Sequence, residues 1–391
     1  MNAPHIISLG CRMNIAESER MRAMLAGDEN LVVVNSCAVT GEALRQTRQA
    51  IRRARRDHPQ ARLVVTGCAA EIDRAEIGAM AEVDGLVANA AKLDPRSWNA
   101  PVAAPPIAPA RTRAFVAVQN GCDHACTFCV IPQGRGPSRS LPVTEVLREI
   151  ETHLDAGAKE VVLTGVDLTS WGHDLPGAPR LGVLVRAILY EFAALPRLRL
   201  SSVDGVEIDP ALFDLLAHDA RVMPHLHLSL QHGADLILKR MKRRHLRCDA
   251  VELVARLKAL RPDVAVGADL IAGFPTETEA HHAENLAIID ELGIVHAHIF
   301  PFSPRPGPPA ARMPQLPRAV VKARAAELRE RAAATRAAWL AGLVGETFPV
   351  LAERDGTGYA PNYARITLPP QATAGTIIDV TPREVREGLL V

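Results

Sequence analysis

Aromatic side chains are scarce in this chain of 391 residues, at 4%, with three Trp and three Tyr, so few rings are available for stacking on nucleic-acid bases. Charge of one sign is also missing: Lys+Arg 45 against Asp+Glu 44 leaves a net charge of +1. Any nucleic-acid partner must therefore be held by a local basic patch. Long apolar runs are absent as well. The uncharged stretch 97–110 carries four prolines and falls short of the roughly 18 apolar residues that cross a bilayer. No basic segment precedes the short apolar run of MNAPHIISLGC, so it does not read as a secretory signal, and the chain is expected in the cytoplasm. There its seven cysteines, an odd number, would stay reduced and serve metal ligation or catalysis rather than a disulfide framework.

What is present is a repeated pattern. HIISLGC, LVVVNSC and RLVVTGC are β-branched runs ending in small residues and a cysteine, at Cys11, Cys37 and Cys68. Helical stretches separate them, which reads as parallel strands in βαβ units and an open α/β domain over 1–95. Right-handed crossovers bring all strand carboxyl ends to one edge, so three cysteines distant in sequence converge. Taken singly, each cysteine reads more readily as a small buried core residue than as a ligand, and it is their identical position after three successive strands that points to a shared metal site. A Pro/Ala-rich linker follows over 96–112. Six more strand candidates (FVAVQ, EVVLTG, RLRLSS, HLHLSLQ, VAVGADLI, VHAHIF) then alternate with helices over 113–337, implying a parallel barrel or part of one. Functional groups belong at the carboxyl ends of such strands: Cys122 after the first, Asp167 after the second, Ser201 in the third, Gln231 ending the fourth, Asp269 in the fifth. Short β-prone runs divided by Gly and Pro make 338–391 a small β domain.

Cys122, Cys126 and Cys129 form CxxxCxxC in QNGCDHACTFCVIP. Three thiolates in one loop leave one iron of a four-iron cube open to a small chelating molecule. A zinc loop is the alternative, but structural zinc wants four ligands and only His124 lies close by in sequence. Cys248, without such companions, reads as an ordinary helix residue.

CDHACTFC at the end of the first barrel strand resembles the radical S-adenosylmethionine enzymes. Cys11, Cys37 and Cys68 in LGCRMN, NSCAVT and TGCAAE resemble the N-terminal domain of the methylthiotransferases within that group, as do RGPSRS, VVLTGVDLTSWG, LHLSLQHGAD, GADLIAGFPTETE and FPFSPRPGPPAARMP, in order. The resemblance implies a central partial (β/α)6 radical SAM barrel, a C-terminal β-barrel of the TRAM type, two 4Fe-4S clusters on the two cysteine triads, and S-adenosyl-L-methionine. It further implies that one cluster generates a 5'-deoxyadenosyl radical, the second supplies sulfur, and another S-adenosylmethionine supplies methyl. By motif match Gly165, Asp167, Ser201, Gln231, Arg243 and Asp269 are cofactor or site residues. Arg243, within KRMKRR, could instead belong to a solvated helix face, and Arg139 in RGPSRS could hold an anion or a helix end.

Members of the family modify adenine in the tRNA anticodon loop or an aspartate of a ribosomal protein. NSCAVT followed by RQTRQAIRRARR resembles the branch acting on threonylcarbamoyladenosine, next to the anticodon on its 3' side. Ser36, His232 and Thr276 depart from the family's usual Thr, Ser and Gly. Charge supports RNA: seven arginines stand between Arg45 and Arg62 against the single acid Asp57, although a solvated amphipathic helix would look similar. Arg48, Arg52, Arg53, Arg55, Arg56 and Arg139 are thus candidate RNA contacts. The last domain is net acidic, so Tyr359, Asn362 and Arg365 would act there by shape and edge contacts. A tRNA anticodon stem-loop, an external electron donor and a sulfur source are the expected partners, with the chain acting as a monomer. The competing readings are methylthiolation of isopentenyladenosine, methylthiolation of a ribosomal-protein aspartate, and a non-enzymatic cluster-bearing electron carrier or RNA-binding module.

Overall fold

The computed structural model describes residues 4–100 and 112–391. Four parallel strands, His5–Ser8, Leu31–Ser36, Arg62–Gly67 and Gly85–Leu86, lie side by side in chain order as the first sheet. The second is wholly buried, as a β-branched run covered on both faces should be. Val32 and Val34 pack under the helix Gly41–Asp57, while Leu31 and Val33 meet Met21 and Trp98 on the other face. That helix begins at Thr40, whose hydroxyl accepts from the Ala43 N–H at 3.0 Å. It buries Leu44, Thr47, Ile51 and Ala54, one stripe at helical spacing, and turns its arginines outward. Trp98 is buried in this core and donates its indole N–H to the Lys92 carbonyl at 2.9 Å. The first domain therefore reaches three residues beyond the boundary read from sequence at 95, and the rest of the expected linker, 101–111, lies outside the described residues.

Six further strands form the barrel. Arg113–Ala117, Glu160–Thr164 and Arg197–Leu200 pair in parallel; after a break at Ser201, Ser202–Val203 continues the pairing into His225–Gln231, Ala265–Ala272 and Ile294–Pro301. Leu198, Leu200, Leu226, Leu228, Ala268 and Leu270 pack outward beneath the helices. Strand alternation turns the intervening residues inward. Among these are Arg113, Glu160, Arg197, Arg199, His225, His227, Asp269, His296 and His298. Small parallel barrels are normally filled by Val, Ile and Leu. Here the interior is a polar chamber.

The helix Arg318–Gly342 packs Val321, Ala325, Leu328 and Ala332 inward, so the boundary expected at 337 falls inside one continuous helix. Six short strands then form the C-terminal sheet around Val350, Ala360, Ile366 and Leu390. This unit closes the amino-terminal mouth of the barrel. Tyr363, at φ 70°, accepts from Arg113 Nη1 at 3.0 Å, lies under the Arg199 guanidinium at 4.6 Å, and its ring centre is 4.9 Å from that of His225.

Candidate active site

The loop carrying Cys122, Cys126 and Cys129 leaves the first barrel strand through Gly121, whose φ of 75° and position admit only glycine: a Cβ there would lie 1.9 Å from the Pro137 carbonyl oxygen. The loop is pinned elsewhere by Cys122 N–H to Gly136 O at 3.1 Å, Thr127 N–H to Met241 O at 3.1 Å and Thr127 Oγ1 to Arg240 O at 2.9 Å. All seven cysteines are free, and Cys248 is exposed on its helix as expected. Burial pushes the Cys122 and Cys129 thiols up to about 12, reinforced at Cys122 by the Asp167 carboxylate. A metal or cluster would have to displace those protons.

Asp167 forms the wall beside Cys122. Its Oδ2 lies 2.7 Å from His124 Nε2, accepts from Ser170 Oγ at 2.6 Å, and is 3.9 Å from Cys122 Sγ, while its backbone N–H donates to Gln119 Oε1 at 2.8 Å. Burial opposes its charge, but His124 and Ser170 prevail and hold the carboxyl below its ordinary range. Gly165 leaves room for this turn, since a Cβ there would stand 3.0 Å from both Gln119 Oε1 and Leu168 Cα. Arg243 reaches the cysteine loop rather than a solvated face: Nη1 is 3.6 Å from Cys126 Sγ, and Nη2 donates to Asp204 Oδ2 at 2.9 Å and Ser229 O at 2.8 Å. Ser201 is buried with its hydroxyl unpartnered, and Gln231, at φ 73°, ends the fourth strand where its pairing slips. Asp269 stands deeper in the barrel, against His227 and His298.

The second triad is assembled at the edge of the first sheet. Cys11 begins the helix Arg12–Met24, Cys37 follows the second strand, and Cys68 opens the helix Cys68–Ile72 after the third. Gly10 lies against Cys37, for a Cβ on it would be 2.7 Å from Cys37 Sγ. Burial pushes Cys37 up to about 11, with the neighbouring Cys68 and Cys11 thiols adding to the rise. The domains meet through a buried ionic core absent from the sequence reading. Arg135, from the segment after the cysteine loop, donates to Glu17 Oε1 at 2.9 Å, Asn14 Oδ1 at 2.6 Å and Asn120 Oδ1 at 2.8 Å; Lys92 Nζ reaches Glu17 Oε2 at 2.5 Å. Cys68 feels both cations, and the Cys68 thiol in turn contributes to the rise at Cys129. The helix Ile131–Arg135, which follows the first triad, packs against Cys68 of the second across the domain joint, a Cβ on Gly134 standing 3.4 Å from Cys68 Cβ. Two sets of three free thiols, one in a single loop and one along a single sheet edge, suit sulfur-ligated metal chemistry better than tetrahedral zinc.

The remaining candidates are scattered. Arg52, Arg53 and Arg56 line an open groove of roughly 760 Å³ with His5, Gln46 and Gln49. Acids from outside the basic run pair with several arginines: Glu76 with Arg48, Glu82 with Arg52 at 3.9 Å, and Asp84 with Arg55 at 2.5 Å. Arg55 also donates to the carbonyls of Pro59, Ala61 and Glu82, which fixes it as a structural tie. Arg139 is exposed in a two-residue strand pairing with Asn120. In the C-terminal unit Asn362 is buried, accepting from the Ala364 N–H, and Tyr359 stacks on Tyr363 at 4.8 Å beneath the Arg113 guanidinium. Both therefore build the joint with the barrel. Arg365 is tied to Asp355 at 2.5 Å and Thr357 Oγ1 at 3.0 Å. Asp204, Arg244 and His245 were missed; Asp204, just past the third strand in SSVDG, was the one findable by the strand-end rule.

Residues 116–287 match the radical SAM superfamily, and residues 4–88 match the uncharacterized protein family UPF0004. The chain is 40% identical over 403 residues to threonylcarbamoyladenosine tRNA methylthiotransferase MtaB of Rickettsia prowazekii, covering 98% of this chain and 96% of that protein. It is 34% identical over 384 residues to tRNA-2-methylthio-N(6)-dimethylallyladenosine synthase of Erythrobacter litoralis, covering 89% and 86%. Among solved structures, the radical S-adenosylmethionine methyltransferase TsrM from Kitasatospora setae aligns with a TM-score of 0.50 at 17% identity over 72% of this chain and 64% of that one, a likeness of fold. With two cysteine triads meeting at one domain joint and relatives of this kind along nearly its whole length, the chain belongs to the radical S-adenosylmethionine tRNA methylthiotransferase family, and is an enzyme of that kind.

Proposed function

We propose that this enzyme places a methylthio group on carbon 2 of the adenine of threonylcarbamoyladenosine in the tRNA anticodon loop, adjacent to the anticodon on its 3' side. The observation that carries this reading is the nearness of the triads: a Cβ on Gly134, in the helix that follows the cysteine loop and beside the bridging Arg135, would lie 3.4 Å from Cys68 Cβ, so the barrel segment next to the first triad packs against a member of the second. Cys122, Cys126 and Cys129 would hold one 4Fe-4S cluster, and Cys11, Cys37 and Cys68 the other. When bound, the clusters and S-adenosylmethionine supply radical initiation, sulfur and methyl.

The chain supplies placement. Gly121 and Gly165 bring the backbone close to the cofactor space, Arg243 sets a positive charge beside the cysteine loop, and the polar wall of Asp167, His124 and Ser170 closes its far side. Arg135 and Glu17 fix the spacing between the triads and seal the joint against water. Arg52, Arg53 and Arg56 would meet the tRNA backbone, with an electron donor and a sulfur source coming from outside. The relative named for threonylcarbamoyladenosine supports this nucleoside over the dimethylallyl one.

The test is reconstituted protein, reductant and S-adenosylmethionine offered anticodon stem-loops bearing each nucleoside. About eight irons per chain and a methylthio product on the threonylcarbamoyl substrate are expected. Four irons per chain, or product only on the isopentenyl substrate, would refute the reading.

A further inference from the structure

Three inward-facing residues on adjacent strands meet in the barrel chamber. His227, on the fourth strand, brings Nε2 to 3.1 Å from Asp269 Oδ1, and His298, on the sixth, brings Nδ1 to 3.0 Å from the same oxygen. The imidazole centres are 4.7 Å apart. Strand pairing holds Asp269 directly opposite His298. The ring of His227 is seated on Gly267, where a Cβ would lie 2.3 Å from His227 Nδ1, so that glycine is required for the ring to occupy its place. His227 and His298 together hold the Asp269 carboxyl well below its usual range despite its burial.

An ionised carboxylate only accepts hydrogen bonds, so both imidazoles must donate N–H to it. An imidazole that donates in this way as the neutral ring has a single tautomer open to it. For His298 this leaves Nε2 as the unoccupied acceptor. The three groups differ in exposure: the side chain of His227 is 4% exposed, that of Asp269 20%, and that of His298 58%. A buried His227 and a half-buried Asp269 thus brace an open third member.

We infer that His298 Nε2, braced by Asp269 and His227, forms a binding subsite for the polar N6 substituent of the target adenosine, accepting a hydrogen bond from a ureido N–H or the threonyl hydroxyl. This rests on the proposed threonylcarbamoyl substrate. A dimethylallyl group has no donor beyond the N6–H that joins it to the ring, and would leave the acceptor unpaired in a partly dry chamber, the kind of mismatch from which polar sites draw their discrimination. His298 is therefore a specificity residue. Asp269 and His227 are positioning residues that act through it, rather than contacts of the cofactor.

The experiment uses the reconstituted full chain and two anticodon stem-loops, one with threonylcarbamoyladenosine and one with isopentenyladenosine. His298→Phe is expected to lower kcat/KM on the threonylcarbamoyl substrate about 10-fold, chiefly through KM, and to shrink the preference between substrates by the same factor. His298→Gln, whose amide oxygen can stand near the lost nitrogen, is expected to recover part of that loss. Asp269→Asn is expected to fall between the two. Iron content and circular dichroism equal to those of the parent verify that each variant is folded and loaded. If the parent does not act on the threonylcarbamoyl stem-loop, the substrate reading itself fails. If the parent does and His298→Phe leaves the preference unchanged, the subsite is refuted while the substrate stands. One zinc per chain in the parent, lost in Asp269→Asn, would likewise overturn it by making the triad a metal site.

Discussion

Replacing Arg135 by Met should loosen the joint on which the nearness of the triads depends. Its guanidinium faces Glu17 at 2.9 and 3.1 Å, with both side chains at most 2% exposed. At an effective dielectric of about 20, one such contact is worth roughly 6 kcal/mol before desolvation is subtracted. Breaking a buried pair by removing one partner costs about 3–5 kcal/mol. Glu17 retains Lys92 in the variant, so the lower end, about 3 kcal/mol, is expected for Arg135→Met. Glu17→Gln leaves two buried cations facing each other and should cost about 4–5 kcal/mol. The double variant should cost at least about 2 kcal/mol less than the sum of the singles, because Arg135→Met removes one of the two cations that Glu17→Gln leaves without a carboxylate, Lys92 being the other. Urea unfolding of the metal-free chains, followed by circular dichroism, reads all four corners of the cycle. Acid adds an independent signature. Burial pushes Glu17 up, but Lys92 and Arg135 outweigh it and hold the carboxyl below its ordinary 4.5. Its stabilisation is therefore complete above 4.5 and lost as pH falls through the folded value, a loss that Glu17→Gln should not show. Single variants within 1 kcal/mol of the parent, or additive costs, would refute the reasoning.

Other outcomes follow from the barrel and its surface. Burial drives His225 well below 6.5 and, with Arg336, holds His296 down to about 3. Both must take up protons on unfolding, so stability should decline below pH 6.5 by up to about 1.4 kcal/mol per pH unit for each, and His296→Gln should flatten the slope in a pH series of urea midpoints. Substituting Ala for Arg52, Arg53 and Arg56 together should weaken tRNA binding and reduce the slope of log affinity against log salt by up to about three, read by filter binding across a salt series; an unchanged slope would remove the groove from the tRNA path. Tyr363→Ala should cost about 3–5 kcal/mol by emptying the plug at the barrel mouth, whereas Tyr363→Phe, which keeps the ring stack and loses the bond from Arg113, should cost about 1–2 kcal/mol in the same unfolding assay.

The parts of the fold carried by local pattern were legible. LVVVNSC and RLVVTGC are β-branched runs that no helix periodicity fits, and the six barrel strands all formed where alternating runs placed them. The placement of Cys11, Cys37 and Cys68 was legible because a cysteine just past a parallel strand has one place to go, the shared sheet edge. The short strands Gly85–Leu86, Val385–Arg386 and Leu389–Leu390 were not, being two-residue pairings made by tertiary neighbours rather than by propensity. The ionic core was also invisible. Glu17 reads as an ordinary helix acid in AESERMRAML, and Lys92 and Arg135 lie 75 and 118 residues away. Arg48, Arg52 and Arg55 looked free because their partners Glu76, Glu82 and Asp84 come from later segments. Asn362 and Tyr359 read as surface groups of a small β domain; docked on the barrel, Asn362 is buried beside His296 and Tyr359 is half-buried beneath Arg113.

The central claim is that this chain makes a methylthio nucleoside from threonylcarbamoyladenosine. Mass spectrometry of tRNA nucleosides from cells with and without its gene tests that claim most directly. Loss of 2-methylthio-threonylcarbamoyladenosine with accumulation of its unmodified precursor is the expected result, and restoring the gene with Cys68→Ala should fail to reverse it. An unchanged level of that nucleoside, or loss of the isopentenyl counterpart in its place, would contradict it.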